Sequence, residues 1–219
     1  MGLLKKYDLP DAGARVWVWD VKETPEELAA AVSLAQNSQN NISTLNFQLS
    51  KLNKWRRAEV YAEQLLIAEA FGKPLPLTHD ENGAPSIEGC LLPVSISHTR
   101  GRVCLAVGSD RAIGIDVEHY REQVLRIRDK FLSPTEQAWI APTDVMSHLV
   151  AWTAKEALYK VARSQSPDLV ADYALIEPFR LTGDGMPLRF TAMAGADKHA
   201  VLTFFEDRFV YSLAYPFFS

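Results

Sequence analysis

The chain has 219 residues, 47% of them hydrophobic, and a formal net charge of -4. That apolar content is ample for a buried core in one large domain or two small ones, and the mild acidity gives no push toward nucleic acid or an anionic membrane. No segment is long and apolar enough to read as a bilayer span, and Met1 to Lys6 lacks a secretory pattern. A cytoplasmic protein with Cys90 and Cys104 as reduced thiols is therefore expected.

Along the chain, valine and tryptophan alternate from Arg15 to Trp19 and predict a strand. Thr24, Pro25 and Glu27 then form a helix start, with threonine as N-cap and proline at the first position. The asparagine- and serine-rich piece Gln36 to Ser43 predicts a loop, and a long helix is expected from Leu49 to Phe71, ended by Gly72 and Pro74. A turn-rich Asp80 to Pro85 leads into predicted strands at Pro93 to Ser97, Val103 to Gly108 and Ile113 to Glu118. Helices are expected over Gln123 to Phe131, Ser133 to Ile140 and Ser147 to Arg163. Strand-like patterns return at Phe179 to Thr182, Pro187 to Met193, Ala200 to Phe205 and Phe209 to Ala214. No internal repeat is visible, and periodicity alone gives the class α+β.

Two stretches carry the chemistry. Ala112 to Val117 is apolar and β-branched apart from Asp116, so it suits a buried strand, on which Asp116 and Glu118 emerge on one face and Ile115 and Val117 on the other. Adjacent carboxylates repel unless a proton or cation lies between them, and hard oxygen ligands at this spacing favour Mg2+, with Mn2+ as the alternative. A solvent-facing strand end accounts for an isolated D-x-E as well. The second stretch, His148 to Val161, has helical periodicity with Leu149, Trp152, Ala157, Leu158 and Val161 as its apolar stripe. Glu156 and Lys160 are four apart and share a face, which by itself could be an ordinary helix ion pair.

Read together, Gly114-Ile115-Asp116-Val117-Glu118 and Trp152-Thr153-Ala154-Lys155-Glu156-Ala157-Leu158-Tyr159-Lys160 closely resemble the signature pair of the Sfp-type 4'-phosphopantetheinyl transferases. Val94-Ser95-Ile96-Ser97-His98-Thr99 resembles a third element of that family, upstream and in the expected order. The resemblance spans residues 45 to 163. It implies an α+β fold built as a pseudo-twofold pair of similar lobes, each a small antiparallel sheet packed with a long helix. The boundary is expected near Ser109 to Arg111, giving lobes 1–110 and 111–219: the first on the nucleotide and 3'-phosphate side of coenzyme A, the second holding the metal and carrier-protein side.

The resemblance further implies an enzyme that transfers the phosphopantetheine arm of coenzyme A to a serine hydroxyl of an acyl or peptidyl carrier protein, releasing 3',5'-ADP. Asp116, Glu118 and Glu156 would hold the metal, with Glu156 as ligand, as base toward the serine, or both. Lys160 would stabilise negative charge on the phosphates. The histidine matching His98 helps bind the 3'-phosphate, with Ser97 and Thr99 offering hydroxyls beside it. Basic partners are expected from the helix carrying Lys51, Lys54, Arg56 and Arg57, with Arg56 or Arg57 as phosphate ligand.

Two departures fall at the nucleotide end: Glu63-Gln64-Leu65-Leu66 stands where many relatives carry an arginine before the leucines, and Gly83-Ala84-Pro85 lacks the lysine of a common G-K-P triplet. The segment His119 to Lys130 sets Arg121, Arg126, Arg128 and Lys130 against Glu122 and Asp129, a basic excess suited to an acidic carrier protein, and Phe131 and Leu132 offer an apolar anchor or core packing. Another metal-dependent phosphodiesterase or nuclease would need a basic, aromatic-lined groove, which the sequence does not show. A non-catalytic carrier-binding homologue would need a damaged acid set, whereas all four residues are present. A monomer is expected.

Overall fold

The computed structural model describes residues 2–36, 45–163, 168–181 and 187–217. The predicted loop Gln36 to Ser43 lies almost wholly outside them. The chain divides into two compact units, Met1–Val107 and Gly108–Ser219. It is a mixed α+β protein whose sheets are built from antiparallel pairs. No helix among the described residues is long and apolar enough to cross a membrane.

In the first unit, strands β1 (Leu3–Leu9), β2 (Ala14–Asp20), β5 (Val94–Thr99) and β6 (Arg102–Gly108) form a sheet in the order β1-β2-β6-β5. Helices α1 (Pro25–Gln36) and α2 (Lys54–Phe71) pack with it. Trp17, Trp19, Leu28, Val32, Tyr61, Leu65, Leu66, Val103 and Leu105 belong to one buried cluster. A small hairpin, β3 (Leu77–His79) with β4 (Pro85–Ile87), encloses the Asp80 to Ala84 turn, where the Asp80 carboxylate accepts from the N–H groups of Asn82 and Ala84.

The predicted helix from Leu49 is shorter than expected. Residues 45–49 are helical, but the chain then turns, and α2 starts afresh at Lys54 behind Asn53. The Asn53 side chain accepts from the Arg56 N–H at 3.0 Å, which satisfies a donor that the first helical turn would leave orphaned. Strand β1 went unpredicted because Lys5, Lys6 and Asp8 break its apolar pattern, as suits an edge strand.

The second unit is a five-stranded antiparallel sheet in the order β7-β11-β10-β9-β8, formed by β7 (Gly114–His119), β8 (Tyr173–Leu175), β9 (Leu188–Ala194), β10 (Asp197–Glu206) and β11 (Phe209–Pro216). Two short helices, α3 (Gln123–Arg126) and α4 (Pro134–Trp139), precede the long α5 (Val145–Ala162). The predicted helix Gln123 to Phe131 is broken into α3 and a 3-10 turn at Arg128–Lys130. The predicted strand at Phe179 is absent through Leu181, and Thr182 lies outside the described residues. Phe179 instead stacks on Phe190 of β9, ring centroids 5.2 Å apart, so its apolar character marks packing rather than pairing. The strand that flanks β9 at that edge of the sheet is Tyr173–Leu175.

A buried ion pair ties this unit together. Ser133 and Glu136 form a capping box at α4, and Glu136 reaches beyond it: one carboxylate oxygen accepts from the Leu175 N–H at 2.8 Å, the other from Lys155 Nζ at 2.8 Å. Lys155 is fully buried and also donates to the Leu169 carbonyl at 3.0 Å. Four segments thus meet at one carboxylate and one ammonium. Removing one partner of such a pair strands the other without its counter-charge. Lys155→Met is expected to destabilise the protein by about 3 kcal/mol, toward the low end for a broken buried pair because Glu136 keeps two backbone donors. Urea denaturation checks this as a lower midpoint at unchanged slope.

Candidate active site

The second unit brings the acidic residues of both motifs onto the contact between β7 and α5. Successive strand residues alternate faces, so Gly114, Asp116 and Glu118 share the side that meets α5. The approach is very close: a Cβ added at Gly114 would lie 2.0 Å from the Ala157 carbonyl oxygen and 3.0 Å from Lys160 Cβ. Hydroxyls fix the same contact further along. Thr203, Ser212 and Asp116 lie in register across β10, β11 and β7. Thr153 Oγ1 of α5 is 2.8 Å from Ser212 Oγ, which is 2.9 Å from Thr203 Oγ1. Thr153, Thr203 and Ser212 are fully buried, so this chain of hydroxyls sets the rotation of α5 against the sheet.

That rotation delivers Lys160 to β7, where its Nζ donates to Asp116 Oδ1 and to the Ile115 carbonyl, each at 2.8 Å. Glu118 Oε1 accepts from Trp152 Nε1 of α5 at 3.2 Å and from Arg121 Nη2 at 2.5 Å. Trp152 is itself seated edge-on against Phe131, centroids 5.2 Å apart. Glu156 lies within electrostatic reach of the other acids. Burial, then the charge of Asp116, pushes its carboxyl up to about 7; Glu118 adds to the rise and Lys160 opposes it. Of the three acids, Glu156 is the one whose carboxyl is held well above its ordinary value.

Among the described residues, no trio of His, Cys, Asp or Glu is drawn into a closed metal centre. Lys160 and Arg121 sit on two of the three acids instead. The donor set nonetheless suits Mg2+, which takes one or two protein carboxylates and fills its octahedron with water and phosphate oxygens. Burial first, and then the charge of Asp116, raises the Glu156 carboxyl to about 7, and a cation beside it would favour its ionised form.

The residues expected at the nucleotide end lie in the first unit. His98 and Ser97 are consecutive on β5 and point to opposite faces, with Ser97 opposite Cys104 and His98 opposite Val103. Ser97 is buried, while the His98 side chain is 37% exposed. His98 Nδ1 lies 3.2 Å from Glu59 Oε2. Arg56 Nη1 bridges Glu59 and Glu63, 3.2 Å from each. Arg57 pairs with Glu26 of α1 at 3.1 Å. Lys54 and Arg100 stack over the half-exposed Trp55 ring, 5.1 and 4.2 Å from its centroid. Arg56, Arg57 and His98 are thus engaged by carboxylates, two of which, Glu59 and Glu63, are buried.

Several contributors escaped the sequence reading. Arg121 lies three residues beyond Glu118 and was counted only toward a basic surface. Thr153 and Ser212 carry no pattern that distinguishes a cross-element hydroxyl contact from strand or helix filler.

Two outcomes follow from this geometry. Gly114→Ala forces β7 and α5 apart, so it is expected to lower the melting temperature and to abolish the Lys160–Asp116 contact, checked by calorimetry and a crystal structure of the variant. Burial raises the Glu63 carboxyl above its ordinary value, and the pull of Arg56 does not offset this. A raised folded-state value means stability that is complete below the unfolded value and is lost as pH rises through the folded one. Glu63→Gln should therefore match the parent near pH 4 and gain on it toward pH 7. Melting curves showing the variant losing ground as pH rises would contradict that sign.

No curated protein matches the chain. A family match falls on the unit that holds the acid cluster, from just before β7 to the start of β11: residues 112–210 match the model of the 4'-phosphopantetheinyl transferase superfamily.

Proposed function

We propose that this protein is an Sfp-type enzyme that transfers the 4'-phosphopantetheine arm of coenzyme A to a serine hydroxyl of an acyl or peptidyl carrier protein. The observation that carries this reading is the convergence of Asp116, Glu118, Glu156 and Lys160 on one β7–α5 contact inside the matched superfamily region. The motif at Val94 to Thr99 and the long helix upstream of it support the Sfp-type arrangement of the whole chain.

The serine oxygen forms a new bond to the phosphorus that bears pantetheine. The bond from that phosphorus to the bridging oxygen breaks, and 3',5'-ADP leaves with the electron pair. Asp116 and Glu118, with Glu156 completing the set, are the residues to hold Mg2+ against the pyrophosphate. Bound there, the ion supplies neutralisation of the phosphate oxygens as a Lewis acid. Lys160, already placed on Asp116, offers its ammonium to charge accumulating on the departing diphosphate. Glu156, whose carboxyl is raised to about 7 by burial and by Asp116, would take the serine proton directly where it does not itself ligate the ion, or a water at the cluster would carry that proton. Trp152 and Arg121 hold the Glu118 carboxylate in place from the helix and from the following loop. Arg126, Arg128 and Lys130 supply a basic face for an acidic carrier protein. A cytoplasmic monomer is the form proposed.

The test is mass spectrometry of an apo-acyl or apo-peptidyl carrier protein incubated with the enzyme, coenzyme A and Mg2+. Gain of the phosphopantetheine mass is expected; no gain across both carrier types would overturn the proposal. Asp116→Asn removes one charge and the partner of Lys160 at constant volume. It is expected to cut kcat/KM by at least about 100-fold while circular dichroism remains unchanged.

A further inference from the structure

Glu118 is held by two donors of different kinds. Trp152 Nε1, on α5, is fixed by the packing of its ring against Phe131. Arg121, on the loop after β7, reaches the same oxygen, and its side chain is 36% exposed against 13% for Glu118. Lys160, which balances Asp116, is anchored a second time on the Ile115 carbonyl. Of the two cations described on the acid cluster, Arg121 is the more exposed, at 36% against 26% for Lys160, and it lacks the backbone anchor that Lys160 has on Ile115.

We propose that Arg121 is an exchangeable internal counter-ion of the acid cluster: it neutralises Glu118 in the protein alone and gives way to a divalent cation. This rests on the reading of Asp116, Glu118 and Glu156 as a cation site. A guanidinium and a dication compete for the negative charge of one carboxylate even when they use different oxygens. Trp152 keeps its hydrogen bond to Glu118 throughout, so release of Arg121 does not leave the carboxylate undirected. The released guanidinium becomes available to an anionic group of a docking protein, at the start of the segment that also carries Arg126, Arg128 and Lys130. By linkage, an acidic partner that captures Arg121 tightens cation binding by the same factor with which the cation tightens partner binding.

The experiment is Mn2+ binding to the full chain, followed by electron paramagnetic resonance of the free ion, with no substrate present. Arg121→Gln is expected to tighten Mn2+ binding about three- to fivefold, the size of a partly exposed ion pair, while Arg121→Lys stays near the parent. Arg126→Gln, which removes the same charge from the same segment without touching Glu118, should change affinity less than about twofold. In a Glu118→Gln background the gain from Arg121→Gln should vanish, because the two residues act as a pair. Mn2+ binding that is unchanged or weakened by Arg121→Gln, or a gain that persists without Glu118, overturns the counter-ion role alone. Failure of the parent and every variant to bind millimolar Mn2+ overturns both that role and the cation-site reading beneath it.

Discussion

The second unit depends on one backbone contact, the approach of α5 to β7 where Gly114 carries no side chain. A methyl group there would fall inside the Ala157 carbonyl oxygen. With that space open, α5 lies close enough for Lys160 to span to Asp116 and for Trp152 to reach Glu118. These contacts sit at separate points along the helix, so translation along the axis and rotation about it are both constrained. The Thr153–Ser212–Thr203 hydroxyls fix the middle, and the Lys155–Glu136 pair fixes the opposite flank. Lys155 and Glu156 are neighbours in sequence with opposed duties: one is buried and paired, the other half-buried with its carboxyl raised. A helix places consecutive residues about 100° apart, so a helix held by its buried lysine necessarily presents the glutamate to the other side.

How much of this was legible depended on whether the signal was periodic or relational. The α+β class, the strand carrying Asp116 and the helix carrying Glu156 and Lys160 follow from repeated patterns that survive in any environment. Helix α2 starts later than periodicity suggests because the apolar pattern runs through Leu49 and Leu52, while the start is set by the Arg56 N–H donating to the Asn53 side chain. Phe179 reads as a strand residue because aromatic packing and strand pairing select the same side chains. At the sites, same-face relations on one element were readable, as with Asp116 and Glu118. Contacts between elements were not: nothing local says that Arg121 turns back to Glu118, or that Ser212 meets a helix threonine 59 residues away. Ser97 and His98, adjacent in sequence, face opposite sides of β5, because a strand separates consecutive side chains.

The superfamily match and the resemblance bear on the two units unequally. Residues 112–210 cover the acid cluster and its supports but none of α2 or β5. What is argued for the nucleotide end therefore rests on motif order and on the residues themselves. There Glu63, in the Glu63-Gln64-Leu65-Leu66 stretch where the resemblance leads one to expect an arginine before the leucines, has a buried carboxylate that takes one side of Arg56.

Charge balance separates the two ends more sharply than residue type does. In the first unit Glu59 and Glu63 face Arg56 and His98, acids and bases in equal number, with each acid in contact with a base. A phosphate arriving there must compete with carboxylates already in position, so any anion binding by Arg56 or His98 requires one of those ion pairs to open. In the second unit Lys160 and Arg121 sit on Asp116 and Glu118, while burial and the charge of Asp116 raise the Glu156 carboxyl to about 7. On the proposed exchange, an added cation would displace the half-buried Arg121 and leave Lys160 anchored on the Ile115 carbonyl. The acid cluster would then gain a positive ligand at low cost, whereas the cluster around Arg56 must reorganise before it can gain a negative one.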